Sequence, residues 1–124
     1  MMVPRKMMAC GYVKAESGQR YIVLAGGSNG GWDDFVEVVE MLSLDNPTEW
    51  VIGPPLPILP PMASKSFQYQ DTFLVTGGWK SDIGGFNSVL EFGRNLEWTA
   101  RNSLNRKRWA HAVFNIPDSW AKCY

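Results

Sequence analysis

A chain of 124 residues, 45% hydrophobic and 13% aromatic, has the size and composition of one globular unit. Its 12 basic and 12 acidic residues cancel, so no global field draws it to nucleic acid or an anionic membrane. No apolar run approaches the roughly 20 residues of a membrane span, and the one histidine, His111, excludes a multi-histidine metal site.

Taken in chain order, the start Met1-Met-Val-Pro-Arg-Lys lacks the long apolar core of a secretory signal. Runs rich in Val, Ile, Phe, Tyr and Trp, separated by Gly, Pro, Asn and Asp, predict strands over 7–14, 20–26, 35–44, 49–52, 62–69, 72–77, 87–92, 96–100 and 109–115. Phe35, Val38, Val39 and Leu42 also fit a helical stripe, but the counterpart Asn87–Phe92 is short and β-prone, so strand is expected at both. Cys10 lies in the first predicted strand, where a reduced cysteine is expected to behave as a small hydrophobe. It and Cys123 make no disulfide framework, and Asn46-Pro47-Thr48 fails as a glycosylation acceptor because proline occupies its middle. A reducing, cytoplasmic setting is the expectation.

The chain repeats itself. Tyr21-Ile-Val-Leu-Ala-Gly26-Gly27 and Thr72-Phe-Leu-Val-Thr-Gly77-Gly78 end alike, 51 residues apart. Thirteen positions after each second glycine stands a glutamate in an apolar run, Glu40 and Glu91. Each is followed by a Glu-Trp pair ending at Trp50 and Trp98. Met8–Tyr12, Met62–Phe67 and Trp109–Phe114 supply a further, partial copy. A period near 50 residues with this order of features resembles kelch repeats, the four-stranded blades of one class of β-propeller.

The resemblance implies an all-β chain: an incomplete kelch-type propeller of two four-stranded antiparallel blades, over 5–57 and 58–104, with a third begun at 106–124. Gly26, Gly27, Glu40, Trp50, Gly77, Gly78, Glu91 and Trp98 are then structural. The glycines allow the backbone to turn and approach closely, and the tryptophans seal blade against blade. Gly53-Pro-Pro-Leu-Pro-Ile-Leu-Pro-Pro61, a polyproline ligand on paper, is better read as a stiff connection between blades.

Most of the family binds proteins or peptides, on the face that the second-to-third-strand loops share with the connections between blades. Here those loops are Ser28–Asp34 and Trp79–Gly85, beside Gly53–Pro61 and Arg101–Arg108. Candidate contact residues are Asn29, Trp32, Asp33, Trp79, Lys80, Asp82, Arg106 and Arg108. Trp32 and Trp79 are the expected anchors, because rigid surface aromatics supply much binding energy; the competing reading tucks both into the blades. The four cations among Arg101, Arg106, Lys107 and Arg108 read as a solvated loop.

No catalytic pattern stands out. Gly26–Gly31 is glycine-rich but lacks the phosphate-cradling Gly-x-x-x-x-Gly-Lys-Ser/Thr, and a Ser28–His111–Asp triad has only composition behind it. The expectation is an interaction module, not an enzyme, with no metal or cofactor. The alternative is a piece of an extracellular carbohydrate-active or oxidase-type propeller, whose copper ligands a lone His111 does not supply. Adaptor, ubiquitin-ligase or actin roles would belong to a longer chain. Further blades or self-association are expected to complete the fold.

Overall fold

A computed structural model describes residues 1–59 and 61–116. Strands β1 (Ala9–Lys14), β2 (Arg20–Ala25), β3 (Glu40–Ser43) and β4 (Trp50–Ile52) form one antiparallel sheet in chain order. Strands β5 (Lys65–Tyr69), β6 (Thr72–Thr76), β9 (Val89–Phe92) and β10 (Trp98–Ala100) form a second. Between β6 and β9 lies a small hairpin, β7 (Trp79–Lys80) with β8 (Gly84–Gly85). The described residues contain no helix, so the protein is all-β with antiparallel sheets.

Side-chain alternation along the strands puts apolar residues of both sheets into one shared core. Ala9, Val13, Val23, Ala25, Val39 and Met41 of the first sheet and its loop meet Phe73, Val75 and Phe92 of the second. The aromatic group is tight: Trp98 stands edge-on to Phe92 at 4.8 Å and to Phe73 at 5.8 Å between ring centroids. Such pairs add about 0.5–1.5 kcal/mol each beyond burial. The sheets come into close contact at Gly11, where a Cβ would fall inside the Phe73 ring.

The edge of β1 is closed by side chains of β5. The Ser66 hydroxyl accepts from the Cys10 N–H and donates to the Cys10 carbonyl (3.3 and 2.6 Å). The Gln68 amide does the same for Tyr12, accepting at 3.1 Å and donating at 2.9 Å. An edge strand's backbone groups are thereby satisfied without a fifth strand.

Three expectations need correction. No strand forms at 109–115; a strand needs a hydrogen-bonded neighbour, and this segment instead leans on the second sheet through a few contacts. Asn115 Nδ2 donates to the Gln68 carbonyl, repeating the bond that Gln68 makes to Tyr12. Strand β3 begins only at Glu40, because Phe35 to Val39 belong to a loop in which Val36 N–H bonds back to Gly27. Cys10 is exposed: alternation gives the core to Ala9 and Val13 and the opposite face to position 10.

The two glutamates, in step along the sequence, do not occupy matching places in their sheets. Glu40 lies across from Leu24, whereas Glu91 lies across from Leu74. Counted from the glycine pair, these partners differ by one residue. The loop after Gly78 is one residue shorter: Val36 bonds to Gly27, and Phe86 bonds to Gly78. One residue in a strand reverses the face, so the two carboxylates sit on opposite faces of their sheets.

Candidate functional site

The loops at one end of the sheets are held by a repeated set of backbone bonds. Gly27 N–H donates to the Pro61 carbonyl (3.0 Å), and Gly78 N–H donates to that of Arg108 (2.9 Å). Gly26 and Gly77 have φ of 65° and 60°, and a Cβ on either would collide with those same carbonyls. Only glycine meets both demands. Lys6 and Ser28 exchange a pair of bonds, as do Met62 and Trp79.

A further ladder runs beside these bonds. Ala63 N–H donates to the Met7 carbonyl and Ala110 N–H to the Ala63 carbonyl, both at 2.9 Å. Met7, Ala63 and Ala110 share a left-handed backbone, with φ of 55°, 54° and 51°, which costs a non-glycine residue about 1–2 kcal/mol. The same strained step therefore occurs three times, at each return of the chain to this end.

These constraints assemble an aromatic cleft of about 370 Å³, lined by Trp32, Met62, Ala63, Trp79 and Trp109. Trp32 comes from the loop after Gly27, and Trp79 from β7. Their rings meet edge-to-face with centroids 5.9 Å apart and planes at 89°. Trp109 arrives from the third return of the chain and lies over Gly85, where a Cβ would come within 3.1 Å of its ring. Trp32 is 67% and Trp109 52% exposed, so neither tucks into a sheet, while Trp79 is half-buried.

Of the other candidates, Lys80 is engaged internally. It pairs with Asp82 at 3.0 Å and lies 4.4 Å from the centre of the Phe35 ring. That bond holds the Asp82 carboxyl below its usual range. Asn29, Asp33, Arg106 and Arg108 are exposed around the same end of the molecule but do not line the cleft. Trp109 was expected in a strand rather than a binding loop; its motif, Arg108-Trp109-Ala110-His111, names a strand start, and only the ladder reveals where it points.

The expected structural residues divide. Trp98 bridges the sheets, its indole donating to the Pro54 carbonyl at 3.1 Å. Trp50 lies opposite Leu42 as Trp98 lies opposite Phe92, yet it faces away from the second sheet and is only half-buried. Glu40 is fully buried, paired with Arg5 at 2.5 Å and bonded by the amides of Met2 and Val3. Arg5 also donates to the carbonyls of Gly26 and Val38. Glu91 pairs with the half-exposed Arg101 and accepts from Thr72. In the proline-rich connection, Leu56 packs on the core while Pro55, Pro57 and Leu59 are exposed; Pro60 and Cys123 lie outside the described residues.

His111 touches the second sheet through Nε2, 2.7 Å from Thr76 Oγ1. That hydroxyl also reaches the Lys65 carbonyl at 3.3 Å. Nδ1 is buried without a partner. Burial, then the charges of Arg108 and Lys65, hold the imidazole below its usual pKa. Ser28 is bonded to the Gly31 carbonyl and has no bond to His111, so the triad is not assembled. No cluster of three or more His, Cys, Asp or Glu fit to hold a metal is found among the described residues, and none of their helices could cross a membrane, since there are none. No protein-family model matches the chain, and no curated protein matches it.

Proposed function

We propose that this chain is a protein- or peptide-binding module of kelch-repeat type, two blades (5–57 and 58–104) and the start of a third (106–124) of a larger β-propeller, with a scaffold or adaptor role. The observation that carries the binding reading is the cleft: three tryptophans from three separate returns of the chain, two of them more than half exposed. Apolar area left in water contributes nothing to folding, and a contiguous patch of it marks an interaction site. Rigid aromatics gathered at one point are the usual anchors of interfaces. The propeller reading is supported by the like strand order of the two sheets and by the threefold repeat of the Met7, Ala63 and Ala110 step.

The test is affinity capture with the immobilised chain beside a Trp32→Ala/Trp109→Ala variant, with bound proteins quantified by mass spectrometry. A partner retained by the first and lost from the second, with unchanged circular dichroism, is the expected result. Retention that ignores both tryptophans but depends on Arg106 or Asp33 would move the site elsewhere.

A further inference from the structure

Resting on the reading of the cleft as the binding face, we infer that its ligand is an extended proline-rich peptide. Trp32, Met62, Ala63, Trp79 and Trp109 carry no charge and no side-chain acceptor. Their floor offers no backbone groups either, because Met62 and Trp79 satisfy each other and Ala63 is bonded to Met7 on one side and Ala110 on the other. The indole N–H groups of Trp32, Trp79 and Trp109 have no protein acceptor among the described residues, in contrast to Trp98, which donates to Pro54.

The side chains of the cleft are therefore apolar and aromatic, and the only polar groups they carry are donors. A saccharide's hydroxyl donors find no side-chain acceptor in this lining and gain nothing over their bonds to water. A quaternary ammonium suits aromatic faces, but the lining residues supply no carboxylate to neutralise it. A run of prolines matches on every count. It has carbonyl acceptors and no N–H, its rings are apolar, and its polyproline II conformation is preformed, so little entropy is lost on docking to an aromatic groove.

The experiment follows the indole N–H resonances of the ¹⁵N-labelled chain, assigned by Trp→Phe substitution, during titration with a synthetic oligoproline. Oligoalanine, tetramethylammonium chloride and a glucose oligomer serve as comparison probes. Saturable shifts of Trp32, Trp79 and Trp109 with oligoproline alone, Trp50 and Trp98 staying fixed, are expected. Trp32→Ala or Trp109→Ala should weaken the binding about tenfold or more in a chain with an unaltered thermal transition. Shifts produced instead by tetramethylammonium or the saccharide overturn the ligand class. So does an unmoved spectrum with oligoproline, and if captured partners still depend on Trp32 and Trp109, the binding face itself survives that failure. Loss of that dependence too removes the face along with the ligand.

Discussion

Glu40 and Glu91 look alike in the sequence and differ in the structure by everything that sets an ion pair's worth. The Arg5–Glu40 pair is completely buried and shares its oxygens with two backbone amides. Removing one member leaves a buried charge uncompensated, so Glu40→Ala should cost about 3–5 kcal/mol. Arg101 is 54% exposed in its side chain, and Glu91→Ala should cost only about 0–1 kcal/mol. Urea unfolding midpoints and slopes measure both; equal losses would contradict the assigned faces. Gly11 offers a second check on packing. Gly11→Ala pushes a methyl into the Phe73 ring and should cost about 1–3 kcal/mol, with part recovered when Phe73→Leu is added. The glycine pairs were legible in the sequence because a positive φ leaves a residue-level mark. The partners of Glu40 were not, because Arg5 reaches it only after the chain has folded back over 35 residues.

At the scale of elements, runs of β-prone residues bounded by Gly, Pro, Asn and Asp located the eight strands of the two sheets, because those residue types fit a pleated, half-buried surface. They could not show that the loop after Gly78 is one residue shorter, nor that β7 and β8 pair, since two-residue strands have no periodicity to read. They also could not show that 109–115 lacks a neighbour: strand propensity belongs to the segment, but the ladder belongs to a pair. That segment is held at His111, and its hold depends on pH. The folded imidazole's pKa lies below its usual 6.5, so the unfolded chain takes up the proton first as pH falls. The stabilisation is complete above that value and declines as pH drops toward the folded pKa. The melting temperature should therefore fall from about pH 7 to about pH 5, and a His111→Gln variant should show less of this fall. An identical decline in both would place the titrating group elsewhere. The effects at Asp45 and Asp82 lie lower, below the ordinary aspartate value of 3.8.

For the whole molecule, the two sheets bury one face each against the other, and the other two faces are only partly covered among the described residues. On the first sheet the outer face carries Tyr12, Ile22, Leu42 and Trp50 half-buried and Ile52 at 72% exposure. On the second it carries Phe67 and Leu74, with Phe114 at 80% and Ile116 at 63% exposure in the segment beyond. The inner faces show how such surfaces fit: Trp98 donates to Pro54 and closes on Phe73 and Phe92, and Trp50 holds the corresponding place on the open side. The ladder through Met7, Ala63 and Ala110 is open at both ends among the described residues. Its free ends differ, a donor at Met7 and an acceptor at Ala110, so one copy's head is complementary to another's tail. Contacts of that kind are heterologous, and they build rings or open chains rather than twofold dimers. The 124-residue chain alone should therefore form a concentration-dependent series of species in light scattering, with no single dimer plateau. Ile52→Lys should shift the series toward monomer, by placing a charge where the next copy would pack. A monomer at every concentration with one sharp thermal transition would defeat the open-face argument, because half-covered aromatic faces would then be stable in water without a neighbour.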